Sequence, residues 1–552
     1  MPSWERHILP EVLLFYPAAG ASDDLSPFVQ SIRSSNSVTQ PVGTLNLVLN
    51  PALDKLGITT ITTNAFINYW RQKIKINSVI SVKMDRTSPI HSFLGFVDQV
   101  YPSIVVNKDT SSRMLVVNCS MLLPKLLLRD NIINSPILSA NAQIKAQLGD
   151  RVQFFSWMRG LTKDGKSPFV NRPQEAVKYI LENMPATHVQ MGGDFTPQTF
   201  FSNQFVDINN KPLMDFTFLD GEYLFDVNLT TFTGPIYNYI SSCIDKDFYQ
   251  VFTETTTTKD GLARNRFVIR PKPFSFKNYQ SPISNNAVSG WINFEDLSKN
   301  ADGSDKYSIV ADNRLSENLS ISDFEVKNYF ALNFLNSLIA SQSSYLSKFG
   351  LSFPVVNIDG IKKFGLRDLI ATSSLINYKK IVDDNNKAMQ ENQLKNIDQL
   401  TETSLFSGNN SILDYLLSKR EKIVEWFSYP YFESGQITLP GSDAFKIGER
   451  FVYADRQYYD LVNDKIISGG VHYHIDSVAH SFSYPGFFTT TLGLSRGIPL
   501  NTASDWLNAN RKNFISINTL QAVKNFDASN TNKFDHLQQV DLSNITMEFW
   551  QP

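Results

Sequence analysis

The chain has 552 residues, of which 42% are hydrophobic and 12% aromatic, and 40 Phe and 21 Tyr are among them. That length is too great for one core and suggests three or four domains, and the Phe, Tyr, Thr, Ser and Asn content favours β structure. With 51 basic and 53 acidic residues the net charge is −2, and no segment is a solid basic block, which argues against a dedicated nucleic-acid binder.

Cys119 and Cys243 are the only cysteines, so a disulfide framework and a cysteine-based zinc site are both excluded. Residues 1–30 lack a basic stretch followed by a long apolar run, and there is no span of ~20 apolar residues. Synthesis and folding in a cytoplasm are therefore expected. No internal repeat is visible in the sequence.

In chain order, residues 1–30 read as an irregular arm. Gly43 to Asn50 alternates Leu45, Leu47 and Leu49 and predicts a strand, as do Ile74 to Met84, Ile90 to Val100 and Ser112 to Ser120. Asp85 to Pro89 is the turn between the second and third, and Gly95 reads as a bulge or bend. Met121 to Leu128 reads as a short helix. Residues 137–148 and 173–184 look helical, with Arg151 to Arg159 ambiguous between them. Residues 213–229 alternate around Asp220-Gly221, a strong hairpin signal. Pro235 to Cys243 predicts a helix. Phe248 to Glu254 and Asn265 to Phe274 predict a second hairpin around Lys259-Asp260-Gly261.

Asn328 to Phe349 places Phe330, Leu332, Leu335, Leu338 and Ile339 on one helical stripe. Residues 378–410 are polar. A helix follows, weakly capped by Ser411 and Asp414, with Leu416, Leu417, Ile423 and Val424 on its buried face. Residues 434–498 are short Val, Ile, Thr, Phe and Tyr runs broken by Pro440-Gly441-Ser442 and Ser468-Gly469-Gly470, and predict an antiparallel meander that curls into a small barrel. After residue 500 the apolar residues are too sparse for a core of their own, and this tail is expected to lie along a neighbouring surface.

Several of these segments resemble one family, the central hub proteins of contractile phage tails, including the late-control protein D family and the hub part of type VI secretion spikes. Tyr473, Ile475, Val478 and His480 match its "Y-x-I-x-x-V-x-H" strand. Thr490, Leu492, Leu494, Arg496 and Gly497 match "T-x-L-x-L-x-R-G", and Gly448 lies in the preceding "I-G-E-R-F-V-Y". Phe93, Gly95 and Val97 match a first-barrel strand. Phe267, Ile269, Arg270, Pro273 and Phe274 match "L-x-x-R-x-x-P-F". Asp323, Asn328 and Tyr329 fall in "S-D-x-E-V-x-N-Y-F", and Gly365 and Arg367 in a "Y-G-x-R" turn. The resemblance covers residues ~40–500 with gaps.

The fold it implies is β-rich α+β, with two small tail-tube-like antiparallel β-barrels and helical insertions. The first barrel and arm would occupy residues 1–130 and a mixed α/β insertion 131–260. The second barrel would be discontinuous, from 261–365 and 430–500, with a helical insertion at 366–429 and an extended tail at 501–552. The function implied is a baseplate hub in a virion tail, assembled in the host bacterial cytoplasm. Three copies would ring into a pseudo-sixfold face, binding a central spike protein on one side and the tail tube on the other. Baseplate wedge or tape-measure proteins would be further partners, and the genome could pass the lumen unbound.

The residues offer little chemistry. His472, His474, Asp476 and His480 invite a metal-site reading, since imidazoles two apart on a strand share a face; a polar strand face is the plainer alternative. Asp215, Asp220, Glu222 and Asp226 could suggest a glycosidase pair, but hairpin tips ordinarily carry solvent-facing carboxylates. Met191-Gly192-Gly193-Asp194 lacks the phosphate-loop spacing, and Ser481 and Ser495 lack a nucleophile elbow. Arg270 and Arg496 are expected to make salt bridges or backbone-carbonyl contacts. No catalysis, cofactor or metal is expected. The rival reading is a virion-associated tail protein that binds or hydrolyses glycans, and a toxin-like β protein is a third.

Overall fold

The computed structural model describes residues 9–15, 22–51, 63–133, 211–273, 291–334, 355–377, 412–510 and 513–516, apart from short breaks, together with Val177 and Leu181. The expected helix at 137–148, most of that at 173–184, the 378–410 insert and residues 517–552 lie outside them, as do Asp220, Asp226 and Phe274.

One 13-stranded sheet organises the molecule. Its strands are β1 (Glu11–Phe15), β2 (Ser22–Asp24), β3 (Val29–Ser37), β4 (Thr44–Leu49), β5 (Val79–Lys83), β6 (Phe93–Asn107), β7 (Thr110–Met121), β8 (Ser308–Ile309), β9 (Ser316–Ile321), β10 (Glu433–Pro440), β11 (Arg450–Tyr453), β12 (Val471–Ser483) and β13 (Phe487–Ile498). The spatial order is β9-β10-β13-β12-β3-β4-β7-β6-β5-β1-β2, with β11 beside β12 and β8 beside β11.

The order contains the same five-strand pattern twice. β3-β4-β7-β6-β5 and β9-β10-β13-β12-β11 visit first, second, fifth, fourth and third strands alike, every neighbour antiparallel. The registers repeat as well. β6 is irregular against β7 between Val97 and Gln99, and β12 is irregular against β13 between Ile475 and Ser477. The extra residue is an aspartate each time, in Val97-Asp98-Gln99-Val100 and Ile475-Asp476-Ser477-Val478.

The backbone next to each bulge also matches. Val97 N–H donates to the Ser78 carbonyl (2.8 Å) and Asn77 N–H to the Val97 carbonyl (2.9 Å); Ile475 N–H donates to Glu449 (2.9 Å) and Gly448 N–H to Ile475 (2.8 Å). Asn77 and Gly448 sit at φ 69° and 74°, a region that Gly enters freely and Asn tolerates. A helix follows each unit: α2 (Leu122–Arg129) after β7 and α6 (Thr502–Asn510) after β13.

Two closed barrels were expected, and the described strands show neither. The path of the sheet ends at β9 and β2. The reason lies in β12. Only its first residues pair β11, whereas Ser477 to Ser483 pair Ser37 to Ser31 of β3, so the edge that would close the second unit is given to the first. The strands at 434–498 are not a meander either, because β10 pairs β13 and not β11.

Alternation explains the packing. Leu45, Leu47 and Leu49 of β4 and Val117 and Cys119 of β7 face a core under the first unit with Phe93 and Val97. Ile437, Leu439, Tyr473, Ile475, Leu492 and Leu494 face a core under the second. Phe482 and Phe488, at the tip of the β12–β13 hairpin, enter the first unit's core. The helix α1 (Thr63–Lys73) covers that core with Phe66, Ile67 and Trp70.

Other expectations changed. The arm contains β1, β2 and the start of β3. Tyr329–Phe334, expected as helix, is a strand in a four-stranded sheet with Asp368–Ser373, Val355–Asn357 and Phe514–Ser516. Of the 328–349 stretch only 328–334 is described, and there Phe330, Ala331 and Leu332 are all buried, a run covered on both faces that apolar pattern alone does not separate from a helix; residues 335–349 lie outside the described residues. Asp220 and Gly221 of the expected hairpin lie outside the described residues; among the described ones Met214–Phe216 pairs strand Ala263–Pro271 and Glu222–Leu224 pairs Leu375–Asn377, so these two strands do not pair each other. The Tyr249–Thr257/Ala263–Pro271 hairpin forms, with Gly261 at φ 77°. Helices α3 (Ile236–Ser242), α4 (Ile358–Phe364) and α5 (Ile412–Phe427) complete those described in chain order before α6.

Candidate functional site: a polar sheet face spanning both units

Where one parity of the strands is apolar and buried, the other is small and polar. Aligned across the strands, one row reads Ser316, Thr438, Thr491, Ala479, Ser35 and Thr44. The next reads Ser481, Arg33, Asn46, Asn118 and Gln99. All are exposed or half-buried. Arg33 is the only charged side chain in these rows. Neighbours bond to one another: Thr438 to Thr491 (3.1 Å), Ser35 to Thr44 (3.0 Å), Asn46 to Asn118 (2.7 Å) and Asn118 to Gln99 (3.3 Å). The rows cross the junction of β12 and β3 without a break, and a shallow concavity lies there between Arg33, Asn46, Asn118, Ala479 and Ser481. Such a wall offers only weak hydrogen bonds that water exchanges. It has neither the clustered cations that hold a polyanion nor an apolar patch that holds a protein.

The motif residues lie behind this face and fix it. Gly497 faces the Tyr473 ring so closely that a Cβ there would fall 2.0 Å from it. Gly95 is in similar contact with Phe93 and the Ser120 carbonyl, both at 2.4 Å from a built Cβ; close approach, not the bulge two residues on, is what demands glycine. Arg496 (φ 54°) is buried against Trp426, Phe427 and Phe432 and donates to the Trp426 carbonyl (2.6 Å). Burial lowers its guanidinium to about 10. Thr490 accepts from Ser442 N–H (3.0 Å) and bonds His480 Nδ1 (3.0 Å), and burial pulls the His480 imidazole down to about 4. Leu492 is fully buried.

Two further groups converge. Arg270 donates to Gln250 Oε1 (3.2 Å) and to the Gly448 carbonyl, and Gln250 Nε2 meets His474 Nε2 at 3.2 Å. Phe267 is buried in the core under the same hairpin, and Pro273 is buried just beyond it. The motifs around Asp323 and Gly365, far apart in sequence, form one knot. Asn328, fully buried, donates to the Gly365 carbonyl (2.6 Å) and accepts from Arg367 N–H (2.8 Å). Arg367 in turn pairs Asp323 (2.8 Å), and Tyr329 N–H donates back to the Arg367 carbonyl (3.1 Å).

The chemical candidates are occupied otherwise. His474 Nδ1 meets Asp476 Oδ1 at 2.7 Å, and His480 is far along the strand with Thr490. Burial works against the Asp476 charge, yet His474 and the Ser495 hydroxyl hold its carboxyl below the usual range. Among the described residues no group of three His, Cys, Asp or Glu could hold a metal ion. Asp215 is paired by Arg266 (2.5 Å), and Glu222 belongs to a different sheet. Among the described residues no helix is long and apolar enough to cross a membrane. The polar rows are hard to read from sequence because Val29–Ser37 carries only two large apolar residues, Val29 and Ile32; alternation in Thr489 to Leu494 is the signal that points to them.

No protein-family model and no curated protein matches the chain. Among solved structures it is similar to a tail protein from Neisseria meningitidis MC58, at 8% identity and TM-score 0.42, covering 89% of this chain and 97% of that one. It is similar to the 43 kDa tail protein of prophage MuSo2 from Shewanella oneidensis, at 9% identity and TM-score 0.37, covering 89% and 99%. A third likeness, at 8% identity and TM-score 0.29 and covering 86% and 74%, is to the E. coli c3393 protein, a component of the type VI secretion system described as structurally similar to T4 bacteriophage tail proteins gp27 and gp5.

Proposed function

We propose that this chain is the structural hub of a phage tail baseplate or contractile injection system. Three copies ring around a lumen, bind a trimeric spike on one side and meet the hexameric tail tube on the other. The observation that carries the reading is the double five-strand pattern within one polypeptide. Two like units per chain turn a threefold ring into a near-sixfold surface, which resolves the mismatch between a threefold and a sixfold partner. The polar face, with Arg33 the one charge in its rows and Asp98 beside the concavity, is suited to line the lumen, because it has no cluster of cations to grip a passing polyanion. The motif residues of the hub resemblance support the reading by building the hairpins that carry this face. The work is assembly and transmission of force, without bond chemistry, and the place of work is the virion tail.

Light scattering on the purified chain at micromolar concentration tests this. The expected mass is three times that of the 62.5 kDa chain. A species of one or two copies at every concentration contradicts it.

A further inference from the structure

We infer that a second copy of this chain lays its β9 edge against the outer edge of β6, repeating between molecules the junction that β3 and β12 make within one. The inference deepens the hub reading and rests on it for the closure of the ring.

β12 divides one edge between two partners: Val471 to His474 pair β11, and Ser477 to Ser483 pair β3. β6 is its counterpart in the first unit. Phe93 to Phe96 pair β5, β7 takes the other edge throughout, and among the described residues no strand pairs the β5-side edge beyond Asp98. β9 is the counterpart of β3, and it ends the sheet with only β10 beside it. One chain thus presents the two halves of a junction that it already makes once, at opposite ends of eight strands. Such a heterologous pair of edges propagates until the ring closes. Unpaired strand edges are templates for this kind of addition.

The free edges carry apolar side chains in the open: Tyr101 is 38% exposed, Ile104 58% and Ile321 38%. At the internal junction Phe482, the counterpart of Ile104, is 1% exposed against β3.

The repeat also sets the register. Transferring the β12–β3 pairing through the matched bulges places Tyr101 opposite Ser320, Ser103 opposite Asn318 and Ile104 opposite Glu317. Val38 N–H donates to the Asp476 carbonyl (2.9 Å), so Val478, His480 and Phe482 turn their backbone groups toward β3, and Val100, Pro102 and Ile104 do so at the free edge. Pro102 leaves that edge one donor short, a placement found on edge strands, where it discourages indiscriminate pairing.

Ser103 and Asn318 form a non-hydrogen-bonded pair, whose Cα atoms lie ~4.5 Å apart, within the span of a disulfide. The full-length Ser103→Cys chain is mixed with the Asn318→Cys chain and oxidised gently. A linked dimer is expected in the mixture and in neither chain alone, the single variants reporting any bridge through Cys119 or Cys243. The off-register mixture of Ser103→Cys with Ser316→Cys should stay unlinked. Equal linkage in the two mixtures, or none in either, overturns the inference; Tyr101→Cys with Ser320→Cys repeats the test at a second pair should a first variant fail to fold. The mass of the unmodified chain separates the two readings. Three copies without the specific link keep the hub and remove the edge pairing, whereas the link in a ring of another size keeps the edge pairing and removes the threefold hub.

Discussion

Asp443 joins the two units. Its carboxylate accepts from the Ser92 hydroxyl (2.5 Å) and from Asp85 N–H (3.4 Å), at the turn between β5 and β6. Burial pushes this carboxyl up to about 6, against about 4 in an unfolded chain. The folded state therefore holds the proton more tightly, and the stability this contributes is full below about pH 4 and lost as pH rises through 6. His480 acts in the opposite sense. Its lowered value of about 4 means stability that is present above about pH 6.5 and lost as pH falls toward 4. Each shift corresponds to at most about 3–4 kcal/mol. Urea unfolding from pH 4 to pH 7.5 checks this. Asp443→Asn should lose the part of the slope that falls with rising pH, whereas His480→Gln should lose the part that falls with acid. At this scale the sequence was only partly legible. Gly497 and Gly95 stood out in their motifs, but the ring contacts that require them involve Tyr473 and Phe93. Asp443, in a loop between Ser442 and Ala444, gave no sign that it reaches the other unit.

Among the elements, the β12–β13 hairpin does the most joining. Its strand β12 touches β13, β11 and β3, and its tip carries Phe482 and Phe488 into the first unit's core. Phe482→Ala should cost about 3–5 kcal/mol by transfer and cavity terms. Because the side chain belongs to one unit and the core to the other, both should lose stability in one denaturant transition. Two separated transitions, with only the second unit weakened, would show that the junction does not couple them. Strands with Leu or Ile alternating with Thr or Asn, such as β4, β10 and β13, were readable from period two alone. β3 was not: Val29–Ser37 is mostly serine and asparagine, and it becomes a strand because β4 and β12 supply partners on both edges. Tyr329–Phe334 deceived in the other direction, because Phe330, Leu332 and Leu335 fit a helical stripe equally well. Met214–Phe216 pairs the longer Ala263–Pro271 strand and not Glu222–Leu224, a competitor that local sequence does not display.

Across the whole molecule, the repeat was hidden by unequal connections. About thirty residues with α1 join β4 to β5, whereas β10 and β11 are separated only by residues 441–449. Detectable likeness shrinks to Val97-Asp98-Gln99-Val100 against Ile475-Asp476-Ser477-Val478 and the positive-φ residues Asn77 and Gly448. Strand order preserved what residue identity did not, since packing constrains which strands pair more tightly than which side chains fill them. In the proposed hub, that duplication gives a threefold body six similar inner wall segments. Electron microscopy of the purified chain, averaged down the particle axis, tests this most directly. The predicted image is a ring of three copies around an open centre with six similar wall segments; a solid particle, or a ring whose wall repeats only once per copy, would contradict it.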